Sequence, residues 1–312
     1  MTRHFLADDD LSPAELEEVI DLADVFKKDR YAGPRVLAGH AVAVIFEKPS
    51  TRTRLSFEIG IAELGAHPVI IDARMSQLGR GETIEDTARV LSRYCSMIVI
   101  RTFGQDIIER LAGAADVPVV NALTDYAHPC QALADLQTIR ERKGGLSGLT
   151  LTYLGDGNNV AHSLLLAGTA AGMRVRVATP PGYEPIEQVV RRANAIGAQT
   201  GGAAVVMTDP IEASTGADIL YTDVWASMGQ EGEHDSRNRL FQGYQLDERC
   251  IAVAAAGVLV MHCLPAHRGE EISAGAIDGP NSVVWDQAEN RLHAQKALMA
   301  FLDRHRLDRH RT

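Results

Sequence analysis

Residues 41–72 read AVAVIFEKPSTRTRLSFEIGIAELGAHPVIID and contain an apolar run, a polar turn, a helical pattern and a second apolar run. The apolar runs, Ala41–Phe46 and Val69–Asp72, are short and rich in β-branched residues. Between them, apolar residues such as Leu55 and Ile59 recur at a spacing that suits one face of a helix. A strand, a helix and a second strand in this order predict a parallel pair joined by a right-handed crossover.

The same alternation of short apolar runs and helical patterns continues along the rest of the chain. The further runs are Met97–Arg101, Val117–Asn121, Leu149–Leu154, Arg174–Ala178, Ala203–Met207, Asp218–Thr222 and Gly257–His262. Strands that alternate with helices are typical of α/β proteins with parallel sheets. At the start of the chain, Ser12-Pro13-Ala14-Glu15 predicts a helix that opens with a capping box.

The length of 312 residues suits two domains of about 150 residues each better than one core. Charged residues and glycines interrupt the pattern between Arg140 and Gly148, so we place the boundary there, with domains over 1–144 and 145–285. A helix from about His128 to Arg142 links them. We therefore predict an α/β fold with two doubly wound parallel-sheet domains linked by helices, and substrates bound beyond the carboxyl ends of the strands.

The composition argues against several classes of protein. A net charge of −10 disfavours general binding to nucleic acid or to an acidic membrane. Met1–Asp10 lacks the apolar core of a signal peptide, and the apolar run Ile251–Met261 is far shorter than a membrane span. Four cysteines at wide spacings, with no CxxC, suggest neither a disulfide scaffold nor a zinc site. We expect a reduced, cytoplasmic enzyme.

Five polar residues separate the first strand from the helix that follows it: Ser50, Thr51, Arg52, Thr53 and Arg54. A helix N-terminus offers unsatisfied N–H groups and a favourable dipole to an anion. Hydroxyls and guanidinium groups add donors, and arginine grips phosphate oxygens through a bidentate fork. An alternative is a simple N-cap followed by solvent-facing arginines. All five residues in a row favour a phosphate site.

Polar residues also stand at the ends of later strands in the first half. Arg101 ends an apolar run, where a buried arginine requires a partner, so it points either to solvent or to an anion. His128 and Gln131 begin the linking helix, where a structural role for the histidine remains open. Taken singly, neither position identifies a site.

The turn Gly155–Asn159 follows the first strand of the second half and resembles a degenerate dinucleotide-binding turn. Val160 occupies the position of the third glycine, and the next strand ends near Ala178–Pro180 without an acidic residue to hold a ribose. This pattern disfavours a nicotinamide dehydrogenase and suits a small polar ligand.

Two further strand ends carry reactive side chains. Asp223 can pair with an ammonium group, and the following Ser227–Gly229 turn suits a mobile lid, although an ordinary exposed loop is the alternative. His262 and Cys263 are adjacent on a strand and therefore point to opposite faces. His262 is thus badly placed as a base for Cys263, and a binding role for the cysteine is favoured over thiolate attack.

Together these segments resemble the ornithine carbamoyltransferases along nearly the whole chain. The resemblance is carried by Ser50–Arg54, Ser76–Gly79, His128–Gln131, Asp223 with Ser227–Gly229, and His262–Pro265. The first and third motifs mark aspartate and ornithine carbamoyltransferases alike, whereas the last two point to ornithine. Pro49 departs from the family, which more often has a polar residue there; the change affects the rigidity of the loop more than its chemistry.

For the carbamoyl donor, the resemblance implies a phosphate site made by Ser50, Thr51, Arg52, Thr53 and Arg101, with Gln77 from a neighbouring subunit. It implies that the carbamoyl carbonyl is polarised by Arg101, His128 and Thr53. It also implies that the carbamoyl group is oriented by Gln131, Arg291 and the carbonyls of Cys263 and Leu264.

For the acceptor, the resemblance implies an ornithine site made by Asn159, Asp223, Ser227 and Met228, with Cys263 beside the reacting amine. Arg101, His128 and Cys263 are therefore the expected catalytic residues. The family forms trimers with shared active sites, and its last helix, here about Asp286–Arg304 within residues 286–312, packs back on the first domain.

The implied reaction transfers a carbamoyl group from carbamoyl phosphate to the side-chain amine of L-ornithine, giving citrulline and phosphate. No cofactor or metal is expected. Putrescine, N-acetylornithine and aspartate remain alternative acceptors, and a non-catalytic binding protein is the alternative from another class. The modest length favours a role in arginine biosynthesis over ornithine breakdown.

Overall fold

The computed structural model describes residues 2–31, 33–73, 81–226, 232 and 234–309 of the chain. Within these residues, contacts between elements define two compact units. One comprises Met1–Ala134 and Asn290–Thr312, and the other comprises Asp135–Glu289. Two helices, Pro129–Lys143 and Val284–Arg309, run across the boundaries between the units.

The first unit contains a four-stranded parallel sheet with the order β2-β1-β3-β4. Its strands are β1 (Ala41–Phe46), β2 (His67–Asp72), β3 (Met97–Arg101) and β4 (Val119–Leu123). Its helices are α1 (Pro13–Lys28), α2 (Thr51–Glu63), α3 (Ile84–Tyr94) and α4 (Gln105–Ala114), followed by the start of α5 (Pro129–Lys143) and, later, most of α12 (Val284–Arg309). The crossover predicted from residues 41–72 is confirmed, because β1 and β2 pair in parallel with Ala41 opposite His67.

The second unit contains a five-stranded parallel sheet with the order β7-β6-β5-β8-β9. Its strands are β5 (Thr150–Leu154), β6 (Arg174–Ala178), β7 (Ala203–Met207), β8 (Ile219–Thr222) and β9 (Leu259–His262). Its helices between α5 and α12 are α6 (Asn159–Ala170), α7 (Glu187–Thr200), α8 (Pro210–Ser214), α9 (His234–Phe241), α10 (Glu248–Val253) and α11 (Ala274–Ile277). The prediction of two parallel-sheet α/β domains is confirmed.

The central strands of the first sheet are covered on both faces, which explains why β1 and β3 are continuous apolar runs. β3 and β4 are buried along their whole length, and β1 is buried from its second residue onward. A core cluster in the first unit includes Ile45, Ile98 and Leu111. A cluster in the second unit includes Leu220 and Val260.

The fourth strand begins later than the predicted Val117–Asn121, at Val119, and extends to Leu123. Pro118 has no N–H for the ladder, and its carbonyl accepts from Ile98 N at 2.9 Å. Near the beginning of the chain, Phe5 forms a bridge to Val120 beside this strand. The regular strand therefore starts after the proline.

The predicted capping box at the first helix is confirmed. Ser12 is the N-cap of α1 and accepts from Glu15 N, while the Glu15 side chain accepts from Ser12 N at 2.9 Å. Burial raises the pKa of Glu15, but hydrogen bonds from Arg3 and Ser12 outweigh this effect and lower the pKa to about 2. No helix among the described residues combines the length and the apolar content that a membrane crossing needs.

Candidate active site

The polar turn after β1 forms the N-terminus of α2. Ser50 is its N-cap in an extended conformation, with φ −163° and ψ 112°, and its Oγ accepts from Thr53 N at 3.3 Å. Thr51 and Arg52 in the first turn are exposed, whereas Thr53 is fully buried. This turn therefore presents helix N–H groups and an arginine outward while one hydroxyl points inward.

Thr53 is the point where three distant segments of the first unit meet. Its Oγ1 lies 3.0 Å from Ser50 Oγ. Arg291 Nη2 donates to it at 3.0 Å, and Arg101 Nη1 donates to it at 3.4 Å. Arg101 stands at the end of β3, and Arg291 comes from α12. Tertiary packing thus brings two guanidinium groups to the N-terminus of α2.

Gln131 belongs to the same cluster. Its Oε1 accepts from Arg291 Nη1 at 3.0 Å, and its side chain lies in the first turn of α5. Arg291 and Gln131 are 5% and 2% exposed, so this hydrogen bond is shielded from water. The bond fixes the orientation of the Arg291 guanidinium group relative to the start of α5.

His128 is buried at the start of α5 and carries no charge at neutral pH. Burial, together with the positive charges of Arg291 and Arg101, holds the pKa of its imidazole well below the usual value of 6.5. A neutral imidazole still has one N–H to donate to a carbonyl oxygen. The two arginines contribute to this shift, so the imidazole lies in the field of two positive charges.

Three neighbouring loops of the first unit are joined by residues that our sequence-based prediction missed. Lys48 forms an ion pair with Asp125 and lies 4.3 Å from the centre of the Phe103 ring. Glu47 accepts from the Thr102 hydroxyl, and Glu47 N donates to a β3 carbonyl at 2.9 Å. These contacts connect the loops after β1, β3 and β4, which carry the cluster. Each partner is distant in sequence, so no local pattern indicated them.

The second unit carries its own polar cluster at the ends of β8 and β9. Asp223 follows β8 and is 6% exposed. Cys263 Sγ donates to Asp223 Oδ1 at 2.9 Å, and Asn158 Nδ2 donates to Asp223 Oδ2 at 3.1 Å. Asn158 also caps α6, since its Oδ1 accepts from Val160 N at 2.9 Å. The predicted Asp223 and Cys263 are thus in contact, held by an asparagine that was not predicted.

Asn159 is the first residue of α6 and is partly exposed beside this cluster. Packing requires a glycine at position 157, two residues before Asn159, because a Cβ on Gly157 would lie 2.3 Å from Pro185 N. The glycine-rich turn is therefore explained by the close approach of another loop, and it does not require a dinucleotide.

Both ring nitrogens of His262 are close to partners other than the Cys263 thiol. Its Nε2 lies 3.0 Å from Glu271 Oε1, and its Nδ1 accepts from Leu264 N at 2.8 Å. Burial raises the pKa of Glu271, but hydrogen bonds from His262 and His267 N outweigh this effect and hold the pKa below its ordinary value. The Leu264 backbone has φ 59°, a left-handed conformation that is uncommon for leucine. The imidazole therefore fixes the turn after β9.

Asp223, His262 and Cys263 also have the atoms of a possible metal site, since one ligand atom of each lies within 4.8 Å of the others. Both ring nitrogens of His262 are already engaged, with Glu271 and with Leu264 N. A metal ion would have to replace one of these bonds, so the hydrogen-bonded arrangement accounts for the cluster.

Arg237 joins the two loops that flank this cluster. It forms an ion pair with Asp156 at 2.7 Å, and it donates to the Trp225 carbonyl at 3.0 Å. The Trp225 ring is buried and stacks on Phe241 at 5.9 Å between centroids. The loop after β8 is thus anchored at Trp225. The predicted site residues Gln77, Ser227 and Met228 lie outside the described residues.

Family models agree with this division into two clusters. Residues 3–141 match the model described as aspartate/ornithine carbamoyltransferase, carbamoyl-P binding domain. Residues 147–302 match the model described as aspartate/ornithine carbamoyltransferase, Asp/Orn binding domain. The chain therefore belongs to the aspartate/ornithine carbamoyltransferase family.

Individual relatives are similar over nearly the whole chain. An ornithine carbamoyltransferase from Parafrankia sp. (strain EAN1pec) is 67% identical over 303 residues, which cover 96% of each chain. One from Acidothermus cellulolyticus is 62% identical over 302 residues, 97% of each chain. The solved ornithine carbamoyltransferase from Pyrococcus furiosus is 51% identical, with a TM-score of 0.92 and coverage of 96% of each chain. All three point to the ornithine branch of the family.

Proposed function

We propose that this chain transfers the carbamoyl group of carbamoyl phosphate to the side-chain amine of L-ornithine, giving L-citrulline and phosphate. The observation that carries the proposal is the meeting of Arg101 and Arg291 on buried Thr53 at the N-terminus of α2, beside a neutral His128. The names of the relatives and the two family models support the same reaction.

In this proposal the phosphate of the donor binds at the start of α2, where N–H groups, hydroxyls and guanidinium groups supply its hydrogen bonds. The residues assigned to it are Ser50, Thr51, Arg52, Thr53 and Arg101, with Gln77 from a neighbouring subunit. Arg101, His128 and Thr53 polarise the carbamoyl carbonyl and stabilise the oxyanion that forms on it. Gln131 and Arg291 orient the carbamoyl group, as do the carbonyls of Cys263 and Leu264.

The acceptor is assigned to the second cluster. Asp223 binds the α-ammonium group, and Asn159, Ser227 and Met228 complete the ornithine site. Cys263 lies beside the reacting amine, where its 2.9 Å bond to Asp223 Oδ1 fixes the thiol. A thiol held by a carboxylate is a poor nucleophile, which supports a binding role over covalent catalysis.

The chemistry requires a neutral amine, because only its lone pair attacks the carbamoyl carbon. With a lysine-like pKa near 10.4, neutralising the amine at pH 7 costs roughly 4–5 kcal/mol. The tetrahedral intermediate then expels phosphate, which accepts the proton that the nitrogen loses. Arg101 and His128 supply charge and hydrogen bonds throughout, and neither has to change its protonation state. The proposed reaction uses no cofactor or metal.

We further propose the division into a donor domain over 1–144, an acceptor domain over 145–285 and a C-terminal segment over 286–312. A homotrimer with shared active sites, a cytoplasmic location and a role in arginine biosynthesis belong to the same proposal. The four free thiols, Cys95, Cys130, Cys250 and Cys263, support a reducing compartment. Light scattering tests the trimer, for which the expected mass is three times 33.8 kDa.

A colorimetric assay for ureido products tests the reaction with carbamoyl phosphate and four acceptors: L-ornithine, putrescine, N-acetylornithine and aspartate. We expect product with ornithine at a kcat/KM far above the other three. A preference for putrescine or N-acetylornithine would overturn the acceptor assignment and keep the reaction. No product with any acceptor, from a chain that still binds carbamoyl phosphate, would indicate a binding protein.

A further inference from the structure

A buried glutamine on α12 forms three hydrogen bonds in the second unit. Gln287 is 1% exposed. Its Nε2 donates to Asp135 Oδ1 at 2.8 Å and to Tyr221 Oη at 3.0 Å. Its Oε1 accepts from His262 N at 3.0 Å. The amide thus uses both of its N–H donors and its carbonyl at one place in the core.

The bond to His262 N completes the outer edge of β9. This strand pairs with β8 on one side only. On its other side, Val260 N donates to the Asn281 carbonyl at 2.8 Å, and Val283 N donates to the Val260 carbonyl at 3.0 Å. Two residues further along, where His262 N points the same way, the Gln287 side chain replaces a neighbouring backbone. Without it, this buried N–H would lose its acceptor.

We infer that Gln287 is a positioning residue for the reaction, which it serves by fixing the backbone of His262–Leu264. This inference rests on the proposed function, in which Cys263 and Leu264 contact the carbamoyl group and the amine. Gln287 holds the start of this segment, while the His262 imidazole holds Leu264 N. A shift of the segment would displace Cys263 from Asp223, to which its thiol is bonded.

The partners of Gln287 fix which way its amide points. Asp135 is buried on α5 and accepts from Nε2, so the carbonyl must face His262 N. Burial and the charge of Asp135 raise the pKa of Tyr221 well above 10, so its hydroxyl stays protonated. Reversing the amide would set two acceptors against each other at Asp135 and two donors against each other at His262. The geometry therefore depends on a pair, Asp135 and Gln287.

The same two helices carry a second hydrogen-bonded pair, Gln131 and Arg291, in the first unit. Gln131 precedes Asp135 by four residues, and Arg291 follows Gln287 by four residues. This pair belongs to the phosphate cluster. A change confined to Gln287 should therefore alter turnover and the use of ornithine, and should leave the affinity for phosphate intact.

The test compares Gln287→Leu, Gln287→Glu and the double variant Asp135→Asn with Gln287→Glu. Gln287→Leu removes all three hydrogen bonds of the side chain. Gln287→Glu alone places a second carboxylate next to that of Asp135, so the two groups repel each other. The double variant exchanges donor and acceptor, because the introduced asparagine donates and the introduced glutamate still accepts from His262 N. Gln295→Leu is the matched control: Gln295 is a buried glutamine on the same helix, and neither side-chain polar atom has a hydrogen-bond partner among the described residues.

We expect Gln287→Leu to lower kcat about 10- to 100-fold and to raise the KM for ornithine, since misplacing reacting groups by about 1 Å has effects of this size. The dissociation constant of inorganic phosphate, which lacks the carbamoyl group, should stay within twofold of the wild type by calorimetry. Gln287→Glu should be as impaired as Gln287→Leu, and the double variant should recover most of the lost kcat. Gln295→Leu should match the wild type in all three measurements.

Turnover by Gln287→Leu within twofold of the wild type would overturn the inference, as would equal losses in ornithine use and inorganic phosphate affinity. A double variant no better than Gln287→Glu would overturn it even if Gln287→Leu failed to fold. Absence of citrulline from the wild-type chain would instead overturn the proposed function, so the two failures are distinguishable.

Discussion

The two polar clusters of this protein hold charges of opposite sign, and in both clusters neutral hydrogen-bond partners orient the charged groups. At the N-terminus of α2, Arg101 and Arg291 are held by the neutral oxygens of Thr53 and Gln131. At the end of β8, Asp223 is held by a thiol and an amide. Neutral partners orient a charged group without cancelling its charge. One cluster therefore suits an anion, and the other suits an ammonium group.

The difference also appears in the titratable residues around each cluster. The arginines, together with burial, keep the His128 imidazole neutral. In the second unit, burial and the negative charge of Asp223 raise the pKa of Tyr153 well above 10. Each cluster thus disfavours further charge of its own sign. The clusters therefore differ in the sign of the charge that each favours, which supports the proposed assignment of carbamoyl phosphate to the first and ornithine to the second.

The largest effect is expected at Arg101. Replacing Arg101 with alanine removes the proposed donor to the developing oxyanion, and loss of such a donor typically costs about 3–4 kcal/mol, or a 10²- to 10³-fold fall in kcat. Citrulline formation at saturating concentrations of both substrates measures it. Arg89→Ala is the control, because Arg89 is an exposed residue of α3 paired with Asp86. A loss of less than tenfold would remove Arg101 from the catalytic group.

A smaller effect that is specific to the acceptor is expected at Asp223. Asp223→Asn keeps the shape but removes the charge that pairs with the ornithine ammonium, at about 2–3 kcal/mol or roughly 30- to 150-fold in ornithine affinity. Carbamoyl phosphate affinity should not change. Asp278→Asn is a matched control, since Asp278 forms an exposed ion pair in the same unit. If carbamoyl phosphate binding weakens instead, the assignment of charges to the clusters is wrong.

Replacement of Arg52 should lower the affinity for carbamoyl phosphate and leave the affinity for ornithine unchanged. It is exposed in the first turn of α2, so Arg52→Ala removes one charged hydrogen bond from the phosphate, worth about 1.5 kcal/mol or roughly tenfold in affinity. Calorimetry with carbamoyl phosphate measures it, and Arg110→Ala serves as the control, because Arg110 pairs with Glu85 on the surface of the same unit. Unchanged affinity in Arg52→Ala would take this side chain out of the phosphate site.

The smallest effect concerns the pH dependence of stability. The folded chain keeps His128 neutral, whereas the unfolded chain binds a proton there below the usual pKa of 6.5. The contribution of this histidine to the free energy of unfolding is therefore complete above that pH and falls as the solution becomes more acidic, by up to about 1.4 kcal/mol per pH unit.

Urea unfolding between about pH 7.5 and about pH 5.5 tests this contribution. His128→Asn should lose less stability than the wild type over that interval, because asparagine does not titrate. Identical slopes for the two chains would show that the imidazole is protonated in the folded state.

Much of the fold was predicted from local patterns, because a buried parallel strand and an amphipathic helix each leave a periodic signature. The N-terminus of α2 was predicted for the same reason, since Ser50 caps the helix through a contact three residues away. Prediction failed where one side chain reaches another element. Lys48 and Gln287 each fix a loop or a strand end through partners distant in sequence, and the contact of Asn158 with Asp223 spans 65 positions.

Local sequence patterns are enough to give the order of the elements, the capped and hydroxyl-rich helix start after β1 and the types of side chain at each strand end. These features depend on hydrogen bonds and periodicity within a few residues. The contacts between distant residues depend on the tertiary structure. Arg291 and Thr53 are 238 positions apart in the sequence, and Asp135 and Gln287 are 152 positions apart. Such contacts depend on sheet order and helix packing, for which a local run of residues carries no information.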